Sequence, residues 1–387
     1  MTINPTDFFN LDATLNHEQK MVVDMVRQFV DQTFRPHLRT AYEKGEFPLE
    51  LIPQLGELGL LGAQLKGYGC SGLDSLSYGL IMKELERGDS GLRSFASVQG
   101  ALVMYPIHAF GSEEQKQHWL PRLRSGKAIG CFGLTEPDFG SNPSGMRTTA
   151  QRDGSHWILN GSKTWITNAS VADVAVVWAK TDQGVRGFLV EKNTPGFEQR
   201  AIHGKLSLRA SVTGSLFFHN CRVPAENILP QTVGLKNALM CLNQARYGIA
   251  FGALGAAEDC FQEALSYSKN RIMFDKPLAA FQLIQRKLAI MSTQITTGNL
   301  LAHRLAELKA AGDIEPAQIS MAKQNNVLLA LEAARTARDI LGANGISDEY
   351  RCMRHACNLE SVYTYEGTND IHLLIVAQQL TGLQAFS

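Results

Sequence analysis

The apolar positions of this chain keep one period, lose it, and then return to it. In "EQKMVVDMVRQFV", Met21, Val22, Met25, Val26, Phe29 and Val30 recur at the spacing of one helix face. "PLELIPQLGELGLLGA" and "LSYGLIMKELERG" repeat that texture, and glycines close them. From about Ile129 to Val223 the period shortens. "WILNGSKTWITN", "DVAVVWAK", "GFLVEK" and "GSLFFHN" are rich in Thr, Val, Trp and Phe. Their alternation with polar residues predicts antiparallel strands with one buried face. Turn signals at Asn160-Gly161 and in "DQG" are expected to separate these strands. After Pro230 come long Ala/Leu-rich segments such as "GIAFGALGAAEDCFQEALSYSKN" and "PAQISMAKQNNVLLALEAARTARDIL", whose lengths suit a four-helix bundle. The expected class is α+β, mainly α. An N-terminal helical domain spans 1–127, a middle antiparallel β-domain 128–229 and a C-terminal helical bundle 230–387.

Composition narrows the partners. The chain carries 37 Lys plus Arg against 37 Asp plus Glu, so a net charge of zero offers no global attraction to nucleic acid or to an anionic membrane. No apolar run is long enough to span a bilayer, so no membrane insertion is expected. The opening "MTINPTDFFNLDATLN" has neither a signal-peptide pattern nor the Arg-rich character of a transit peptide, and the expected location is the cytoplasm. Seven cysteines form no C-x-x-C pair, which predicts neither a disulfide framework nor a metal site. "GYGCSG", Gly67 to Gly72, has the spacing of a dinucleotide fingerprint. That motif works only after a strand, and here helical sequence precedes it, so a plain loop is expected.

Four groups of residues suggest chemistry. Thr135, Gly140 and Ser141 lie on a Gly/Pro-rich turn whose amides and hydroxyls suit anionic or carbonyl oxygens, although an ordinary turn explains them equally. Asn243 and Arg246 share a helix face, as a surface polar pair would. Glu86, Arg93 and Ser97 would share a face of one helix, but Gly88 and "DSG" argue for a break between them. The small apolar surroundings "SFASVQGALVM" predict a partly buried Arg93, which then needs an anion. Glu86 can supply it as a structural ion pair. Finally, "TYEGTNDIH" reads as a helix start with Thr368 or Asn369 as cap, leaving Glu366 as a surface acid or as a base in a dry pocket.

Taken in order, "CFGLTEPDFGSNPSGM", "NGSKTWITN", "RIMFDKPLAAFQ" and "YEGTNDIH" resemble the acyl-CoA dehydrogenase family of flavoproteins. "DSGLRSFASVQ", "LNQARYGIAFG", "GANGISDEYRCMRHACNLESVYTYEGTNDIH" and "TGLQAF" are similar to its glutaryl-CoA-oxidising branch. The resemblance implies FAD as cofactor, contacted by Phe132, Leu134, Thr135, Gly140 and Ser141, by the strand residues Trp165, Ile166 and Thr167, and by Thr368 and Phe386. It implies a clamp on FAD from a neighbouring subunit through Arg271, Phe274 and Gln282 and through the loop of Asp339, Leu341, Gly342 and Ala343. Ala343 stands where the family commonly has a second glycine, and would be strained there if its φ were positive. Leu92 likewise replaces a tyrosine found in some members.

For the substrate, the resemblance places Ser141, Asn243, Arg246 and Gly367 along an acyl-CoA channel, and Glu86, Arg93, Ser94 and Ser97 at the far carboxylate of glutaryl-CoA. Glu366 aligns with the base that takes the α-proton, and Tyr365 with a group assisting decarboxylation to crotonyl-CoA. A homotetramer and an electron-transfer flavoprotein as acceptor are implied as well. Two other readings stand beside it. One is a short-chain monocarboxylic acyl-CoA dehydrogenase in which Arg93 is structural. The other is a non-catalytic helical binding protein on the same fold.

Overall fold

A computed structural model of the chain describes residues 3–385. Among them, seven helices come first: α1 (His17–Gln28), α2 (Arg35–Lys44), α3 (Ile52–Glu57), α4 (Ser75–Gly88), α5 (Ser90–Ser97), α6 (Tyr105–Phe110) and α7 (Glu113–Arg124). Their starts are written locally. Asn16 caps α1 by accepting from the Gln19 amide while the Gln19 side chain returns to the Asn16 amide, and Asp74 caps α4. The helix expected over "PLELIPQLGELGLLGA" is short, because α3 gives way to turns with Gly59 and Gly62 at positive φ. The segment Gly67–Gly72 holds no strand and is a loop.

Seven strands follow: β1 (Gly130–Gly133), β2 (Thr149–Asp153), β3 (His156–Thr167), β4 (Val174–Thr181), β5 (Gly184–Glu191), β6 (Phe197–Ala201) and β7 (Thr213–Pro224). They form one sheet in the order β1-β4-β2-β3-β7-β6, with β5 also paired to β4. Two expectations need correction. The sheet is mixed rather than antiparallel, since β1 and β4 run parallel. On β4 the alternate residues Val174, Val176 and Trp178 pack against helices while Ala175, Val177 and Ala179 pack inside the sheet's own core, so both faces are covered. Asn160-Gly161, moreover, is no turn. It lies within β3 at a register shift, where Gly161 has φ 140° and a Cβ would come 2.6 Å from Thr148 Oγ1. "DQG" does form the β4–β5 turn.

The last part is helical again: α8 (Lys236–Asn270), α9 (Gln282–Ala311), α10 (Pro316–Ile340), α11 (Cys352–Thr364) and α12 (Asn369–Thr381). A small ribbon, β8 (Ile272–Met273) with β9 (Lys276–Pro277), joins α8 to α9. The first and last helical parts are not separate bodies. Phe34, Leu85 and Phe95 share one core with Tyr247, Phe251, Leu254, Val327 and Leu331. A second core joins Val103 and Leu120 to Phe132 and Trp178 of the sheet and to Ala238, Cys241 and Ala245 at the start of α8. The stretch of α8 around Ala245 is therefore where all three parts meet.

Candidate active site

Glu366 lies at that junction, in the four-residue break, 365–368, between α11 and α12. Tyr365 follows α11 as its C-terminal cap with extended backbone, and Thr368 caps α12 by accepting from the Ile371 amide at 3.2 Å. Between them Glu366 has φ 53° and Gly367 has φ 94°. A left-handed glutamate is uncommon and must be held by its surroundings. Three contacts hold it. Arg246 Nε donates to the Glu366 carbonyl at 2.7 Å, and Lys323 Nζ donates to the carbonyls of Tyr365 and Gly367, each at 2.7 Å. Gly367 cannot carry a side chain, since a Cβ would come 2.8 Å from His372 Nε2.

The carboxyl of Glu366 has no hydrogen-bond partner for Oε2 among the described residues. Burial pushes its pKa above the ordinary carboxylate range, against the opposing pull of Arg93, Lys323 and Arg246. Of the two settings read from sequence, the structure gives Glu366 the dry pocket rather than the surface. A solvated surface acid would show neither the burial nor the upward shift.

Arg93 and Glu86 are both fully buried, with Nε of the arginine 2.6 Å from Oε2 of the glutamate. The break expected between them is present: α4 ends at Gly88, Asp89 is extended with φ −166°, and the Asp89 side chain caps α5 through the Gly91 amide. The turn at Asp89 lets two residues on different helices face each other. Space for the pair comes from α8, where a Cβ on Gly252 would collide with Glu86 Oε2 and come within 3.2 Å of Arg93 Nε. Arg93 Nη2 donates to the Tyr365 hydroxyl. Its Nη1 and the hydroxyl of Ser97, one turn on, are buried without a partner among the described residues. So is the hydroxyl of Tyr78, a residue that burial pushes up in pKa and that feels both Arg93 and Glu366. Ser94 is buried beside them, and Leu92 is wholly in the core.

Spare donors from Arg93, Ser97 and Tyr78, with one raised carboxyl nearby, make a small polar chamber in apolar surroundings. Spare buried donors point to an acceptor that the chain itself does not supply. Asn243 sits on the same face of α8 as Arg246 and accepts from its Nη1 at 3.3 Å. Arg246 is therefore committed both to the loop backbone and to Asn243.

The residues implied for FAD fall into two separate groups. Phe132 and Leu134 bury their side chains in the sheet–helix core, and Ile166 is buried within the sheet, leaving backbone as their contribution. Thr135, Gly140 and Ser141 form an open loop with unfilled space beyond Gly140. This loop is anchored by buried Glu136, which accepts from the amides of Arg147 and Thr148 and from Lys163 Nζ. Those donors hold its pKa down to about 2. Trp165, with φ 59° at a bulge in β3, is 62% exposed rather than in the core, and Thr167 is half-buried on the same strand. Exposed hydroxyls and amides are suitable donors for a flavin and its phosphates, and a presented aromatic face suits the flat ring by stacking.

The second group is distant. Phe274 is 84% exposed at the ribbon tip, and Arg271 and Gln282 are exposed at the adjoining helix ends. Asp339 pairs with Lys287, Leu341 packs into the core, and Gly342 takes the positive φ of 61°. Ala343, not a positive-φ residue, follows in a 3-10 turn, so the feared strain is absent. Ala245 shares a core with Phe132, and Arg271, just past the end of α8, lies 26 residues further on, a helical rise of about 39 Å. One chain does not bring both groups together. Phe386 lies outside the described residues.

This geometry can be set against known proteins. The chain matches the Acyl-CoA dehydrogenase N-terminal domain over residues 16–127, the middle domain over 131–221 and the C-terminal domain over 232–381. The chain belongs to the acyl-CoA dehydrogenase family. It superposes on the crystal structure of a glutaryl-CoA dehydrogenase from Mycobacterium smegmatis in complex with FADH2 with TM-score 0.98 and 54% identity, covering 100% of both chains. The butyryl-CoA dehydrogenase structure from Megasphaera elsdenii gives TM-score 0.90 and 35% identity, covering 98% of this chain and 100% of that one. The human mitochondrial short-chain specific acyl-CoA dehydrogenase is 37% identical over 373 residues, 95% of this chain and 90% of the relative. No helix among the described residues is long and apolar enough to cross a membrane.

Within this family fold, the sequence reading missed four residues that build the site: Tyr78, Gly252, Lys323 and His372. Lys323 left a trace. It lies four residues after Ile319 and four before Val327, on the apolar stripe of α10, where a lysine is out of place. Gly252 left only an unexplained glycine in an Ala-rich helix. His372, buried with neither ring nitrogen hydrogen-bonded among the described residues, is kept neutral by burial, Lys323 and Arg246.

Proposed function

We propose that this acyl-CoA dehydrogenase oxidises and decarboxylates glutaryl-CoA to crotonyl-CoA and CO2, with Glu366 as base. The carrying observation is the buried Arg93, whose Nη1 is left over after Glu86 and Tyr365 are satisfied, with the free Ser97 hydroxyl on the same helix. A distal carboxylate is the acceptor that fits there. A plain fatty acyl chain would leave the guanidinium nitrogen unpaired, so the chamber selects against it. The cofactor is FAD, and when bound it supplies the acceptor for the β-hydride.

The chain's own part is proton handling and charge. Glu366, its carboxyl desolvated, takes the α-proton. The new double bond conjugates the carbon bearing the distal carboxylate with the thioester carbonyl. Breaking the bond to CO2 sends its electron pair into a dienolate, which hydrogen bonds at the thioester oxygen stabilise. The proton held on Glu366 returns to the terminal carbon and gives crotonyl-CoA. Tyr365, bonded to Arg93, sits where the departing carboxylate is held. An electron-transfer flavoprotein then reoxidises the cofactor, and a homotetramer in the cytoplasm is the working form.

The testing experiment is anaerobic turnover of glutaryl-CoA with flavin bleaching, CO2 and product followed together. Simultaneous bleaching and stoichiometric CO2 are expected, and bleaching without CO2 would remove the decarboxylating role of Tyr365. Glu366→Gln should retain FAD and lose turnover by at least about 10³-fold. Comparable turnover in that variant would refute Glu366 as base. A second reading, a short-chain monocarboxylic enzyme, is favoured by one fact: Glu86 already neutralises Arg93. Higher kcat/KM on butyryl-CoA than on glutaryl-CoA would establish it.

A further inference from the structure

The loop carrying Glu366 is gripped by its backbone. Lys323 Nζ spans the carbonyls on either side of the glutamate, both at 2.7 Å, while Arg246 takes the carbonyl of the glutamate itself. Lys323 is 1% exposed, on the buried stripe of α10. For packing alone, an apolar side chain of similar length would serve, because a buried ammonium is costly to desolvate. What an apolar side chain cannot do is donate to two carbonyls at once. Those carbonyls belong to Tyr365, the residue that follows α11 as its C-terminal cap, and Gly367, just before the cap of α12. The only backbone between them is Glu366 in its left-handed conformation.

We propose that Lys323 is a positioning residue for the base: by joining the Tyr365 and Gly367 carbonyls it fixes the left-handed backbone of Glu366, and its charge favours the ionised carboxyl. The inference rests on the reading of Glu366 as base. Each part has a separate physical origin. Burial pushes Lys323 down to about 7, opposed by Glu366, and a neutral amine still has two N–H groups for two carbonyls. The grip therefore survives loss of the proton, while the electrostatic support does not.

Other groups face Glu366 and set the background: Tyr78 and Glu86 from α4, Arg93 from α5, Arg246 from α8, the neighbouring Tyr365, and His372 from α12. Arg93 and Arg246 oppose the rise of the Glu366 pKa and stay charged throughout, and Glu86 adds to that rise. Lys323 is the cation whose removal leaves both arginines and the Glu86 pair intact.

The test uses the FAD-loaded enzyme. Lys323→Met should keep its flavin and change KM by less than about 3-fold, while kcat falls about 10²-fold through misplacement of the base. The acidic limb of its kcat/KM profile should move up by about 1 pH unit, because a nearby positive charge has gone. Lys323→Arg should leave that limb near the wild-type position. Should Lys323→Met fail to fold, Lys323→Gln and Lys323→Arg are compared instead, with the limb raised in the neutral variant alone. An unmoved limb in the neutral variant, with or without loss of kcat, overturns the proposal. Glu366→Gln in the same assays separates the two readings. If it is inactive while the Lys323 variants behave as wild type, only this inference fails; if it is active, the base reading fails and takes this one with it.

Discussion

Arg93 is asked to do two jobs, and substitutions can separate them. It neutralises buried Glu86 and, on the reading above, receives a carboxylate. Removing one partner of a buried pair leaves an uncompensated charge, which costs about 3–5 kcal/mol. Arg93→Met should therefore lower Tm sharply, and adding Glu86→Gln should restore much of it. If Arg93 also binds substrate, the double variant stays deficient on glutaryl-CoA, by about 10²-fold in kcat/KM, while butyryl-CoA improves relative to it. Full recovery of glutaryl-CoA turnover in the double variant would make Arg93 purely structural. At this scale the sequence was informative where chemistry is local. Arg93 in small apolar surroundings demanded an anion, and Glu86, seven residues earlier, is that anion. Lys323 stood out on its apolar stripe, but its partners were silent because they lie 42 and 44 residues away, on a loop whose conformation no local pattern encodes.

At the level of elements, the site depends on two helices stopping and on a third, α8, having no side chain at Gly252. The break at Asp89 was readable from Gly88 and "DSG", and without it Glu86 and Arg93 would lie along one helix surface. The groove in α8 that receives the pair was not readable, because a glycine in a helix interior usually only weakens it. Replacing such a glycine with alanine normally adds about 0.5–1 kcal/mol of stability. At Gly252 the sign should reverse, since the new methyl would press on Glu86 Oε2 and Arg93 Nε. Gly252→Ala is expected to show a lower Tm than wild type and a raised KM for glutaryl-CoA, both by direct measurement. A higher Tm with unchanged KM would mean that the pair yields freely. The same contrast between local and tertiary causes explains the middle domain. Strand existence followed from composition, but the covering of both faces of β4 and the bulge at Gly161 depend on helices and on Thr148 packed against them.

On the scale of the whole molecule, α8 acts as a spacer. Its start packs under the sheet beside Glu366, and its end carries Arg271 about 39 Å away, so one chain holds a buried carboxyl at one place and an exposed cation at another. If Arg271 completes the cofactor site of a second copy, complementation follows from symmetry. A subunit carrying Glu366→Gln still offers its Arg271, and one carrying Arg271→Ala still offers its Glu366. Each variant alone should be inactive or nearly so. Mixed by co-expression, half of the paired subunits would be hybrids with one complete site each, giving roughly a quarter of wild-type activity per FAD site. The measurement is specific activity of the hybrid preparation against that of the two variants combined after purification. Activity no greater than the sum of the two variants would place Arg271 in the service of its own chain, or of no site at all.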